Sequence, residues 1–328
     1  MSTAIPLPPP GNMFDEDEET RNAYARLLPL GDQREVAIRI LGQMLIQAPT
    51  LNGRRRVAKC INQCDTSQEV VELGEFHLGY FTKHFKALRT ASAPPPLSFG
   101  ELQLDLPVEA PITHAEAKKQ GLMRDNYRCM LSGAVDDDAV ESLPWLYAEV
   151  VANHAKVADT RCSLIVPEHI ACEDIAGSIN TSTSNIQTIP RLFGIANDFC
   201  PNQPAIFDLR NILTLEVGVQ VCFKKFVIWL EPTGAVDNQY YIVRKEDYHY
   251  RDLPGVVTLS STSPDLPLPD PKYLAFHAAC ARILKFSGAS DFIISFLDEV
   301  EDTHVLSGDG SSGELLNHLL RAESLAVS

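Results

Sequence analysis

Apolar residues recur at helical spacing through the first third of the chain. Ala37, Leu41, Met44, Leu45 and Ala48 fall on one stripe, and Val70, Leu73, Phe76, Leu78, Tyr80, Phe81 and Phe85 form another. Thr66 and Glu69 have the spacing of a capping box, in which a hydroxyl and a carboxylate each satisfy a free backbone N–H. The pattern predicts two or three packed helices over residues 20–91. Arg54, Arg55 and Arg56 follow Leu51-Asn52-Gly53 and are expected in a solvated turn. Cys60 and Cys64 stand one helical turn apart, a spacing read as helix packing because no further ligands follow at zinc-site spacing.

The pattern then changes. Residues 1–19 are Pro-rich and then acidic and read as a disordered arm. Residues 92–113 open on consecutive prolines, which favour an extended linker. Residues 114–125 look helical. Short β-branched or aromatic runs at 161–167, 226–231 and 239–244 read as strands. The polar stretch 173–205 reads as an irregular insertion with a short helix near 189–196. A helix is expected from Asp270-Pro271, where the carboxylate caps and proline suits the first turn, to Ser287-Gly288. Another follows over 291–300. Residues 302–328 read as a flexible tail, so 114–301 is expected to form one domain with its C-terminal helices. The fold class is α+β.

Composition narrows the function. Among 328 residues, 28 are basic and 43 acidic, a net charge of −15. This disfavours broad binding to nucleic acid, whose affinity comes from neutralised phosphates. No apolar run reaches the length of a membrane span. The opening Met1–Pro10 has neither the basic nor the apolar region of a signal peptide, which points to an intracellular protein, nuclear or cytoplasmic, with its eight cysteines as free thiols. Phosphate-binding glycine loops, nucleophile elbows and zinc-protease motifs are absent from the sequence.

Six stretches carry the chemistry. They are Met123–Gly133 (MRDNYRCMLSG), Thr160–Pro167 (TRCSLIVP), Arg210–Leu215 (RNILTL), Gly218–Glu231 (GVQVCFKKFVIWLE), and Leu268–Cys280 (LPDPKYLAFHAAC) with Phe286–Ala289 (FSGA). In this order they resemble the HNH endonuclease-like proteins abundant in fungi, over roughly residues 120–290. That family has an RDxYRCxxTG-like opening, then strand CAHIIP, then NxLTL, a helix with HxxFD, and a Trp-containing strand. A helix LPDPxxLxxHxA and an SGA turn follow. The resemblance implies a ββα-metal core with insertions. One His would act as general base on water, the Asn would set loop geometry, and the last His would hold a divalent metal against the phosphodiester.

The sequence departs from that set. Leu164 stands at the general-base position, Gln220 at the metal-binding His and Lys224 at the following Asp; Asn211 alone is unchanged. Leucine has no lone pair, an amide is a poor ligand, and a lysine repels a cation. The expectation is a degenerate nuclease domain acting as a non-catalytic interaction module toward an unidentified protein partner, with no cofactor and no membrane. The alternative is an active metal-dependent DNA endonuclease using His169 and Asn211, with Mg²⁺, Mn²⁺ or Zn²⁺, in which a register slip puts His169-Ile170 at the family's His-Ile pair and Glu168 beside it ligates the metal. Between residues 121 and 250, ten basic residues stand against 17 acidic ones, which weakens binding of a nucleic-acid backbone. His249 reads as an exposed loop residue. His277 reads as a hydrogen-bonding residue on the C-terminal helix.

Overall fold

The computed structural model describes residues 6–31, 35–90, 111–168, 187–198, 205–245 and 253–302. The chain is mixed α+β and divides into two units. The first comprises Met1–Ala91, Glu173–Asn197 and Arg282–Ser328; the second comprises Ser92–Cys172 and Asp198–Ala281.

The first unit is helical. Its elements are α1 (Glu18–Leu27), α2 (Glu35–Gln47), α3 (Leu51–Gln63) and α4 (Ser67–Thr90), joined by two later helices, Ile189–Phe193 and Ala289–Asp302. Helix α2 is buried on almost every side, with Ile38, Ile40, Leu41, Met44 and Leu45 fully enclosed. A helix apolar on all faces requires partners all round, and α1, α3, α4 and the Ala289–Asp302 helix supply them. Gly74 lets α4 approach closely: a Cβ there would lie 2.6 Å from the Ala37 carbonyl oxygen. Glu69 accepts from the Asp65 N–H and Thr66 from the Glu69 N–H, so the start of α4 is capped as its sequence suggests.

Several boundaries differ from the sequence expectation. Residues 6–17 are packed rather than a disordered arm. Tyr24 donates its hydroxyl to the Pro8 carbonyl at 2.7 Å, Phe14 is buried with its ring 5.3 Å from Tyr24, and Asp17 caps α1. The apolar side chains Leu7 and Phe14 between the prolines and acids give this segment something to bury. The three arginines lie inside α3 and not in a turn. Thr50 caps that helix by accepting from the Gly53 N–H, so Asn52-Gly53 forms its first turn. Arg54 then reaches the Leu45 carbonyl, Arg55 reaches Asp17, and Arg56 reaches the Arg191 carbonyl. The expected single domain over 114–301 is also divided, because 173–197 and the chain from Arg282 onward group with the N-terminal helices. Of the expected linker, only residues 111–113 are described; the tail beyond Asp302 lies outside the described residues.

The second unit carries the strands. Helix α5 (His114–Arg124) begins with a complete Thr113/Glu116 capping box. Strand β1 (Val135–Asp136) leads into α6 (Asp137–Ser142) and α7 (Pro144–Asn153), then pairs in parallel with β2 (Val157–Ala158). Strand β3 (Thr160–Leu164) pairs antiparallel with β4 (Ile212–Glu216), from Thr160 opposite Glu216 to Leu164 opposite Ile212. The short helix Ile189–Phe193 of the first unit, α8, intervenes in sequence. Helix α9 (Val217–Lys224) follows β4 directly. Strands β5 (Ile228–Pro232), β6 (Gln239–Arg244) and β7 (Val256–Thr258) form an antiparallel sheet. Helix α10 (Pro271–Ser287) starts where Asp270 accepts from the Lys272 N–H, and α11 is the Ala289–Asp302 helix.

One residue ties the centre of this unit. Arg124 has no exposed surface. Its guanidinium donates twice to Asp125, at 2.7 and 3.0 Å, and to the carbonyls of Leu209, Ile212 and Pro267 at 2.7, 2.9 and 3.2 Å. Replacing Arg124 with Met should cost about 3–5 kcal/mol, because it strands a buried carboxylate. Adding Asp125→Asn should recover part of that loss, read as the urea midpoint of unfolding.

A second test concerns His77, which is buried in α4 with no hydrogen-bond partner at Nδ1 among the described residues. Burial lowers its pKa from 6.5 to about 3. Above pH 6.5 both states are neutral; below it only the unfolded chain takes the proton, so stability falls with pH until about pH 3. Between pH 6.5 and 5 the loss is roughly 2 kcal/mol. In urea titrations His77→Leu should remove that increment, so its stability relative to wild type rises as the pH falls.

Candidate functional site

The candidate site is built on β3, β4 and α9, a strand, a returning strand and a helix. Their local structure begins with Met123–Gly133. Arg124 is held as above, Asn126 and Tyr127 adopt positive φ (51° and 57°), and Gly133 at φ 75° closes a turn in which its N–H reaches the Cys129 carbonyl at 2.9 Å. Met130 donates its N–H to the Thr214 carbonyl at 2.9 Å, fastening this turn to β4. Helix α5 lies close against the same strand: a Cβ at Gly121 would stand 3.2 Å from the Thr214 hydroxyl and 3.4 Å from Ile212.

Asn211 sits immediately before β4 with no exposed surface. Its Oδ1 accepts from the Val166 N–H at 2.9 Å, and its Nδ2 donates to the carbonyls of Val166 and Ile206 at 3.0 and 2.9 Å. Its own carbonyl accepts from the Ile165 N–H at 2.9 Å. The carboxamide is thus a clamp on the turn after β3. It sets the path of the chain toward Pro167 and presents no polar atom to solvent.

Leu164 packs into an apolar cluster with Ala117, Cys162, Leu209, Ile212 and Leu266. Gln220, half-buried on α9, donates Nε2 to the Cys162 carbonyl at 3.1 Å. Burial lowers the Lys224 ammonium below the ordinary lysine value, opposed by Cys162, whose own thiol burial pushes up to about 12. Such a thiol is protonated and is no nucleophile at neutral pH. The structure thus gathers Leu164, Asn211, Gln220 and Lys224 around one strand pair. His169, the remaining candidate, lies outside the described residues, as does His249.

The sequence reading missed His114. It stands at the first turn of α5, half-buried, 6.3 Å ring to ring from Phe207. Burial lowers its pKa, a hydrogen bond to the Cys162 backbone opposes this, and the charges of Lys224, Lys118 and Arg161 lower it further. A signal for it existed: His114 and Gly121 are seven apart, so they share one helix face. The glycine facing the strands brings the histidine to the same side.

These side chains supply an ammonium, amides and an imidazole, and no carboxylate. Lys118 pairs with Asp138 at 3.3 Å and Arg161 with Asp159 at 2.6 Å, so part of the charge is locally balanced. Among the described residues, no three His, Cys, Asp or Glu side chains stand close enough together to hold a metal ion. His277 is structural, as its position suggests. It is buried, stacked on Phe223 with ring centroids 3.7 Å apart, and its Nε2 lies 3.0 Å from the Phe223 carbonyl oxygen.

Asn211→Ala should destabilise the protein by roughly 3–5 kcal/mol, since it orphans one buried N–H and two carbonyls. Equilibrium unfolding in urea measures it; a loss under 1 kcal/mol would contradict the clamp.

Scans against protein-family models, curated proteins and solved structures match none, so the site is read from its own geometry.

Proposed function

We propose that this chain is a non-catalytic HNH-endonuclease-like protein, its ββα module kept as a scaffold and its activity replaced by binding to a protein partner. One observation carries the reading. At the position where the family places its metal-holding histidine, the Gln220 Nε2 donates to the Cys162 carbonyl and ties the helix to the strand. A side chain engaged in joining helix to strand is a structural part, and an amide is a weak metal ligand even when free.

The neighbouring positions agree. Leu164 replaces a general base with an apolar contact, and it packs where a hydrophobic side chain gains from burial. Lys224 places a positive charge where a metal site places a carboxylate, and Coulomb repulsion in a partly buried setting opposes a divalent cation there. Asn211 holds the turn without needing a metal beside it. The net charge of −15 disfavours a nucleic-acid partner and leaves proteins as the partner class. No helix among the described residues is long and apolar enough to cross a membrane.

The test is cleavage of supercoiled plasmid with Mg²⁺, Mn²⁺, Ni²⁺ or Zn²⁺. The wild-type protein should leave the plasmid intact with every metal. Nicking should require Leu164→His and Gln220→His together, since base and ligand are both missing. Metal-dependent nicking by the wild type that disappears in His169→Ala would overturn the proposal in favour of an active enzyme with a shifted ligand set.

A further inference from the structure

Helix α7 is out of place as a surface helix. Its ten residues, Pro144-Trp-Leu-Tyr-Ala-Glu-Val-Val-Ala-Asn153, contain one ionisable carboxylate, Glu149. A helix so uniformly apolar belongs in an interior. Yet only Leu146 is fully buried, and Val150 is half-buried against the same apolar cluster. Trp145 is 50% exposed, Tyr147 59% and Val151 55%. Trp145 leans on Tyr127 with ring centroids 5.9 Å apart, which holds its indole at the surface instead of letting it fold inward. Large aromatic side chains with few rotatable bonds are the residues that dominate protein-binding surfaces.

The charges beside this helix say what covers it. Residues 137–153 hold Asp137, Asp138, Glu141 and Glu149 and no lysine or arginine. Asp138 pairs with Lys118 and Glu149 with Arg128. Asp137 and Glu141 are exposed and have no ion-pair partner among the described residues. We propose that α7, with Asp137 and Glu141 on the adjoining α6, docks a cationic segment of another protein, apolar on one face and lysine- or arginine-bearing on the other. The apolar side chains of that segment cover Trp145, Tyr147 and Val151, and its charges meet the carboxylates. A second copy of this chain fits poorly, because a two-fold contact opposes the same acidic flank to itself in a chain of net charge −15. An anionic membrane surface is repelled by the same carboxylates. This inference goes beyond the proposed loss of catalysis and does not rest on it: the surface stands whether or not the chain cleaves DNA.

The protein carries its own reporter. Its two tryptophans are Trp145 and Trp229, and Trp229 is only 2% exposed. The probe is a synthetic helical peptide with leucines on one face and lysines on the other. Two controls accompany it, one with the same residues in shuffled order and one with glutamate in place of lysine. Titrating the amphipathic lysine peptide into the full chain should give a saturable blue shift and protection from acrylamide quenching. The shuffled peptide should bind at least tenfold more weakly and the glutamate peptide not at all. Tyr147→Ala and Val151→Asp should each weaken binding at least tenfold, and Asp137→Lys with Glu141→Lys at least fivefold. Tyr147 is exposed enough that its variant stays informative if Val151→Asp fails to fold. Equal binding of all peptides, or unchanged affinity in Tyr147→Ala, overturns the proposal. A wild-type dimer by sedimentation that Val151→Asp dissociates, or a larger shift on phosphatidylcholine–phosphatidylserine vesicles than on the peptide, reassigns the surface and overturns it equally.

Discussion

The strand-bearing unit depends on a single buried cation. A guanidinium removed from water must find a hydrogen bond for nearly every N–H, or its desolvation outweighs what it gains. Arg124 does so by gripping Asp125 in a two-point pair and spending its remaining hydrogens on three carbonyls that come from distant parts of the chain, at Leu209, Ile212 and Pro267. Those carbonyls belong to the approach to β4, to β4 itself, and to the segment before α10. The planar fork of arginine can serve such divergent acceptors at once, whereas a lysine ammonium cannot. The close passage of α5 over β4 at Gly121 then follows from where Arg124 has fixed the helix end.

Asn211 applies the same principle at the other end of the strand pair. The excursion between β3 and β4 is long, so closing it costs chain entropy and leaves backbone groups in need of partners. The Asn211 carboxamide satisfies both backbone groups of Val166 and one of Ile206. The strand–strand–helix unit is therefore held at its ends by one guanidinium and one amide. Neither is a metal ligand, and neither asks anything of the residues at 164, 220 and 224. The two clamps are therefore independent of the contacts that Leu164 and Gln220 make on the same strand pair.

This separation explains what the sequence made legible. The capped starts of α4 and α10, the position of α11 and the runs behind β3, β5 and β6 were readable, because capping and alternation are local signals. Leu164, Asn211, Gln220 and Lys224 were readable as one neighbourhood through ordered motifs. Three things were not. Asn52-Gly53 looks like a turn until Thr50 is seen capping a helix across it. The proline-rich start looks like a free arm, although Leu7 and Phe14 dock on α1 and α2, and only tertiary contact reveals that. His114 lies outside the motifs, nine residues before the first of them, and only the packing of α5 on the strands brings it to Cys162. Periodicity reports which residues share a face and is silent on which face meets which.

The charges gathered at the site have the opposite sign to those of a metal-using one. A metal-using site gathers carboxylates and neutral imidazoles, and the cation it binds offsets their mutual repulsion. Here Lys224 lies beside Cys162, with His114 hydrogen-bonded to the same residue's backbone and Lys118 and Arg161 within electrostatic reach. Asp138 and Asp159 offset the charges of Lys118 and Arg161, and the Cys162 backbone accepts from His114. Burial lowers the charge-bearing tendency of both His114 and Lys224, which eases the crowding further. The cluster is thus self-consistent, and a histidine introduced at 164 or 220 would join His114 among cations. On the proposed nuclease-like reading, a base and a ligand would have to be introduced together, because each alone meets an environment built around other side chains.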